Sequence, residues 1–219
     1  MIYLLGGGRG FSNTLAASLK RDIATSDSIV FVPSSIEDEV ISKLYADDVL
    51  MKFNQIGINY ECSIVLGRST SLASVRESIK KADLVYMMGG DPIEQMEFIK
   101  DKNLKPLLMD YDKILIGSSS GAMTLSKYGL INELGVEARV YEGLDLAAGI
   151  SIEPHYEEAE SSLIEKVQKK YGIKKVYGIP EMSAIKILDG NLSFIGEDPV
   201  RLLLEGAPPM EIRDLITED

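Results

Sequence analysis

Five residues near the middle of the chain, Gly117-Ser118-Ser119-Ser120-Gly121, have the G-x-S-x-G spacing of a nucleophile elbow. Glycines two before and two after a serine let the backbone turn sharply from strand into helix and leave the side chain standing at the tip. Only Ser119 has glycines at both positions, so it is the candidate nucleophile. The apolar run KILIG precedes it, and AMTLSKYG can open a helix behind it. A helix N-terminus there turns backbone N–H groups toward a developing oxyanion. The bland alternative is a small-residue turn that does no more than hold a phosphate.

A serine hydroxyl needs a base, and the chain contains one histidine, His155, in SIEPHYEEA, beside a proline and ahead of a helical run. An acid must then orient the imidazole and stabilise its charged form. Glu153, Glu157, Asp145 and Glu181 are the candidates. Glu181, in YGIPEMSAIKIL, follows a short strand that could carry its carboxylate to the same sheet edge.

These residues need a scaffold. MIYLL, SIVFVP, INYECSIVL, ADLVYMM and KILIG read as strands; FSNTLAASLKRDI, IEDEVISKLYADDVLMKFNQI, TSLASVRESIKK and PIEQMEFIKD read as helices between them. Strict alternation predicts a three-layer α/β fold, a mostly parallel sheet with helices on both faces. Asp91 caps the fourth helix, with Pro92 in its first turn, and is read as a cap rather than a catalytic acid. After residue 130 the rhythm changes. EARVYEGL reads as a strand, EEAESSLIEKVQKKYG as a helix, KVYGIP as a strand, and AIKILDGNLSFIG as a C-terminal β-hairpin turning at Asp189, Gly190 and Asn191. PSS at 33–35 and APP at 207–209 are loops, so residues 1–219 read as a single domain.

Glycines fall where the alternation ends each strand. GGGRG follows the first, GGD the fourth and GSSSGA the fifth, at the carboxyl ends where open α/β sheets bind ligands. GGGRG completes neither the P-loop nor the G-x-G-x-x-G pattern, so it reads as a tight turn lining the cleft.

Composition excludes several classes. With 45% hydrophobic residues and only 8 prolines the chain is globular, and at this length it buries roughly 70% of its unfolded surface. No apolar run approaches the roughly 18 residues of a membrane span, and MIYLLGGGRG reads as a first strand rather than a signal peptide. A net charge of −11 repels nucleic acids and anionic membranes. One histidine and one cysteine exclude a zinc site built from several such ligands. Cys62, in an alternating strand-like run, is expected to be a buried structural thiol, and the protein to be cytoplasmic.

Together, LLGGG, the MGGD corner, GSSSGA, EPHY and GIPEMSAI followed by a hairpin resemble the aspartyl dipeptidase (dipeptidase E) and cyanophycinase family of serine peptidases, in the family's order and over nearly the whole chain. The resemblance implies a fold related to class I glutamine amidotransferases and a Ser-His-Glu triad. On this chain the nucleophile would be Ser119, the base His155 and the third member Glu181. The oxyanion hole would use the backbone N–H groups of Ser120 and of a glycine in the GGD corner, Gly90. Two departures stand out: Ser120 replaces the usual alanine, and Glu153 replaces an aspartate common two residues before the histidine. Relatives that prefer an N-terminal aspartate read it with a basic residue; Arg9, Arg68, Arg139 and Lys186 are the candidates here, and no motif marks one.

The expected reaction is acyl transfer to water on small peptides, with N-terminal Asp-Xaa dipeptides as one substrate class. It requires no metal or organic cofactor. A homodimer is one open assembly. Two other readings remain: a non-peptidase hydrolase with the same triad, or an inactive protein that binds a small ligand on the same scaffold.

Overall fold

The structure, a computed structural model, describes residues 1–23, 25–35, 38–131 and 138–213. The first half contains β1 (Ile2–Leu5), α1 (Asn13–Ile23), β2 (Ser28–Val32), α2 (Glu39–Gln55), β3 (Cys62–Val65), α3 (Leu72–Lys81), β4 (Leu84–Met87), α4 (Pro92–Asp101) and α5 (Lys105–Met109). It is followed by β5 (Ile114–Ser118), α6 (Ser120–Leu125), β6 (Tyr128–Ile131), β7 (Arg139–Glu142), β8 (Ser151–Pro154), α7 (Ser161–Tyr171), β9 (Lys175–Ile179), β10 (Ala184–Leu188), β11 (Asn191–Ile195), β12 (Val200–Leu204) and β13 (Met210–Ile212). Residues 36–37 of the second expected helix, residue 137 of the EARVYEGL strand and residues 214–219 lie outside the described residues.

The five strands of the first half lie in one seven-stranded sheet, in the order β11-β10-β1-β5-β4-β2-β3. All pairings among those five are parallel. Strand β10 joins β1 antiparallel and β11 joins β10 antiparallel. The turn between β10 and β11 has positive φ at Asp189 (51°) and Gly190 (78°), the pattern of a type I′ hairpin. The chain continues past this pair into β12 and β13, so the hairpin is not the last element.

Period-two burial explains the layers. Leu4, Val30, Val85 and Leu115 pack on one face against Val75 and Ile79 of α3 and Phe98 and Ile99 of α4. Their alternates Tyr3, Phe31, Leu84 and Ile116 pack on the other against Leu15 and Leu19 of α1 and Phe53 of α2. Each large apolar side chain so buried contributes about 1.5–3 kcal/mol, and burial on both faces holds the strand ends that carry the glycine corners. Strands β1, β5 and β4 are neighbours, with Leu5 opposite Ser118 and Met87 opposite Gly117, so the three corners meet.

The alternation rule suggested one sheet, but there are two. The second has six strands, in the order β13-β12-β9-β8-β6-β7. Its inner residues Ile152, Tyr177, Ile179 and Val200 share the cluster of Leu4 and Val85. Leu130, Val176 and Leu203 face the other way, against Ile164 and Val167 of α7. Strands β6, β8, β12 and β13 escaped the sequence reading because they are 4, 4, 5 and 3 residues long, too short to show a period where no regular β-α alternation marks them. Helix α5 was missed for the same reason.

Cys62 also departs from expectation: it is exposed. It opens β3, the outermost strand of the first sheet, where no neighbouring strand covers its side, and residues 58–61 do not extend the strand. Among the described residues no helix is long and apolar enough to cross a membrane, and no cluster of His, Cys, Asp and Glu could hold a metal ion.

Candidate active site

Strand β5 ends at Ser118 and α6 begins at Ser120, leaving Ser119 as the hinge with φ 53° and ψ −118°. A residue with a side chain rarely adopts such angles, at a cost on the order of 1–3 kcal/mol. Neighbouring bonds hold it there. The Ser119 N–H donates to the Leu5 carbonyl at 3.1 Å, and its own carbonyl accepts from Ala122 at 2.9 Å and Met123 at 3.1 Å. Both flanking glycines are sterically required: a Cβ on Gly117 would lie 2.5 Å from the Gly121 carbonyl oxygen, and one on Gly121 would overlap the Met87 carbonyl.

The Ser119 Oγ lies 2.8 Å from Nε2 of His155, and Nδ1 of the same ring lies 3.0 Å from Oε1 of Glu181. An ionised carboxylate can only accept, so this contact places the proton on Nδ1 and leaves Nε2 to take one from the serine hydroxyl. The His155 and Glu181 side chains are 46% and 59% exposed, so the chain of contacts opens to solvent and to any incoming carbonyl.

The GGGRG corner holds the imidazole and the acid together. His155 follows β8 with φ 55°, and its N–H donates to the Gly6 carbonyl at 2.9 Å. On the other side Gly6 donates to the Ser183 carbonyl and Met182 to the Gly7 carbonyl, each at 2.9 Å. This pins the turn from Pro180 to Ser183 that carries Glu181. Gly7 and Gly8 leave no room for side chains. A Cβ at Gly7 would overlap the imidazole Cε1 and lie 2.7 Å from Nε2, and one at Gly8 would lie 3.3 Å from the Glu181 Cβ.

The third corner stands beside Ser119. A Cβ on Gly89 would lie 3.4 Å from the Ser119 Cβ. The Ser34 hydroxyl donates to the Gly89 carbonyl, and Gly90, with φ 135°, packs against the Ser34 side chain. Asp91 caps α4, accepting from Ile93 at 2.7 Å and Glu94 at 3.2 Å.

Residues 2–195 match the model of peptidase family S51. The chain belongs to that family. The S51 chain is therefore a serine-type peptidase. Its fold is similar to that of a peptidase from an acI-B1 Actinobacterium, with a TM-score of 0.64 at 20% identity over 97% of this chain and 93% of the other. It is also similar to a putative peptidase E protein from Listeria monocytogenes EGD-e, with a TM-score of 0.61 at 18% identity over 93% of this chain and 97% of the other. No curated protein matches the sequence.

Of the four acids considered for the histidine in this S51 peptidase, the fold brings only Glu181 to Nδ1. Asp145 sits at the far end of α6, its N–H on the Ser126 carbonyl. Glu157 opens a single 3₁₀ turn over Glu158–Glu160. Glu153 is buried, and its Oε2 has no hydrogen-bond partner among the described residues. Burial, reinforced by the Glu160 carboxylate, pushes the Glu153 carboxyl well above the usual range. Burial also raises the Tyr86 phenol, which lies under Ser118, to about 12.

The four candidate cations separate as clearly. Lys186 is buried and ion-paired with Asp22 on the α1 side. Arg139 begins β7 at the edge of the second sheet, and Arg68 follows β3, its carbonyl bonded by Lys102. Arg9 alone belongs to a site loop, one residue after Gly8. Sequence reasoning missed Ser34, treated only as a loop residue, and Lys52, whose Nζ donates to the Gly8 carbonyl at 3.2 Å. Nothing in their local sequence marks either.

Proposed function

We propose that the protein hydrolyses small peptides through an acyl-enzyme, with Ser119, His155 and Glu181 as nucleophile, base and orienting acid. The continuous contact from Ser119 Oγ through the imidazole to Glu181 carries this reading. The Ser119 hydroxyl attacks the scissile carbonyl as Nε2 takes its proton; the imidazolium then protonates the leaving amine. Water, deprotonated by the same nitrogen, attacks the acyl-enzyme and restores the serine. Glu181 stays ionised throughout.

The oxyanion receives the Ser120 N–H, at the start of α6 where no intrahelical acceptor exists, and the Gly90 N–H. The second assignment follows from Ser34. Its hydroxyl holds the Gly89 carbonyl, and the peptide that follows is trans. The N–H of a trans peptide points opposite to its carbonyl, so the Gly90 N–H is turned away from Ser34. With Gly89 packed against Ser119, that direction serves the reacting carbonyl.

Arg9 is the residue we assign to an acidic substrate side chain, which favours an N-terminal Asp-Xaa dipeptide. Residues 1–219 form one catalytic unit, with the layering of class I glutamine amidotransferases. The test is hydrolysis of a panel of X-p-nitroanilides and X-Leu dipeptides by wild type and Ser119→Ala. Loss of turnover by several orders of magnitude in the variant supports the reading; equal turnover in both proteins sinks it.

A further inference from the structure

A cavity lies on the α1 face of the seven-stranded sheet, between α1 and β11, and shares no residue with the Ser119 site. Its volume is about 360 Å³, within the range of small-ligand pockets. Its origin can be read from α1. Ala17 and Ser18, on the helix face toward β11, are too short to fill the space between helix and sheet. Strand β11 is the edge of its sheet, so its outer backbone groups have no partner strand among the described residues.

Charge distinguishes this cavity from the rest of the surface. In a chain of net charge −11, its lining among the described residues includes Arg21, Lys186 and Arg213 and no carboxylate. Asp22 lies beside it and serves two of the three cations: Lys186 pairs with it, and the Arg21 Nε lies 3.1 Å from it. Asp22 also accepts from the Tyr3 hydroxyl at 2.5 Å. Lys186 is thus a buried cation fixed at the floor. Arg21 and Arg213 are exposed at the rim; with Glu197, which follows Gly196 and accepts from the Asn13 N–H at 3.3 Å, three cations meet two acids among the described residues, an excess of one. The Ser18 and Ser193 hydroxyls and the apolar Ile195 complete the wall.

From this we infer a binding site for a small anion, a carboxylate or a phosphate, joined to a short apolar group. The anion meets the arginines and the Ser193 hydroxyl, since the Ser18 proton is spent on the Tyr3 oxygen, and the apolar body lies on Ile195 and Ala17. The far end of the cavity reaches the catalytic turn: Gly196 packs against Ser183, whose carbonyl accepts from Gly6 and whose N–H donates to Pro180.

Titration calorimetry on the intact chain, with phenylacetate and phenyl phosphate as probes and benzylamine as the cationic control, tests the site. At least one anion is expected to bind saturably, with a Kd below about 10 mM, while benzylamine does not. Phenylacetate alone identifies a carboxylate site, phenyl phosphate alone a phosphate site. Arg21→Gln with Arg213→Gln weakens binding at least about tenfold by removing two charged donors. Ala17→Leu, which keeps all three cations and suits the helix, blocks binding by filling the groove. Protein labelled on Ser119 by a fluorophosphonate binds as tightly as unlabelled protein, which separates this site from the catalytic one. No saturation by either anion, equal binding by the double variant, or loss of binding on labelling overturns the inference.

Discussion

Gly7 and His155 touch so closely that a single methyl group on Gly7 would overlap the imidazole Cε1. The first glycine loop is thus the surface on which the base rests, and its φ of 105° suits glycine alone. Gly7→Ala should displace the ring from both Ser119 and Glu181. A misplacement of about 1 Å in such a group costs around 10²-fold, and kcat/KM should fall at least that far. Circular dichroism should show the fold retained, because the change falls in a half-buried loop beyond β1 and outside both sheets.

The two buried or near-site glutamates should separate cleanly. Glu181→Gln keeps the shape but cannot hold the Nδ1 proton as an anion does, and kcat should drop about 10²–10⁴-fold. Glu153→Gln touches neither ring nitrogen and should leave kcat within a few-fold of wild type. Parallel steady-state kinetics on the two variants decide it, and a reversed order would make Glu153 the third member.

Glu153 should instead appear in stability. Its carboxyl is held well above the ordinary value of 4.5 by burial first and the Glu160 charge second. The native state therefore keeps a proton that the unfolded chain has released, so ν_U is below ν_N and stability falls as pH rises from about 4.5 toward the raised native pKa. Glutamine removes that dependence. Urea unfolding at pH 4 and pH 7.5 should show Glu153→Gln gaining on wild type at the higher pH, and an advantage confined to the lower pH would contradict the assignment.

Ser34 should matter through the Gly89 carbonyl it holds. Ser34→Ala frees the Gly89–Gly90 peptide to rotate, which should weaken the proposed oxyanion donor without removing it. The expected loss is about tenfold in kcat, below the 10²–10³ of a deleted donor, with KM little changed. Ser34→Thr, which keeps the hydroxyl, should recover most of it. A purely structural role would change stability without this kinetic split.

Ser120 carries a buried hydroxyl with no partner among the described residues. Replacing it with alanine removes an unsatisfied polar group, so denaturant unfolding should show stability unchanged or raised by about 1 kcal/mol. Activity should persist, because the proposed oxyanion donor is the backbone N–H. A large loss of turnover would give the Ser120 hydroxyl a direct part.

Much of this was legible in the sequence for a local reason. G-x-S-x-G works through steric relations between residues four apart, and Gly117 and Gly121 are in contact for that reason. The strands of the first half were legible because β-α-β units are built from near neighbours and their apolar runs are buried on both faces. With one histidine in the chain, the base had no rival.

What the sequence could not choose was the acid, since Glu153, Glu157, Asp145 and Glu181 all lay within reach of some fold. Tertiary structure puts Glu181 alone of the four against the imidazole, by backbone hydrogen bonds from Gly6 and Gly7 to segments more than a hundred residues away, which draw the end of β8 and the Glu181 turn onto one loop. The second sheet was likewise hidden as a sheet, although two of its strands, β7 and β9, were read. Its strands are short and their partners distant, and their stability comes from a shared core with the first sheet rather than from any local pattern. The sequence by itself determined which residues could do the chemistry, because residue type and short-range spacing are written in it. Only the fold decided which of them meet, because long-range pairing depends on the packing of the whole chain.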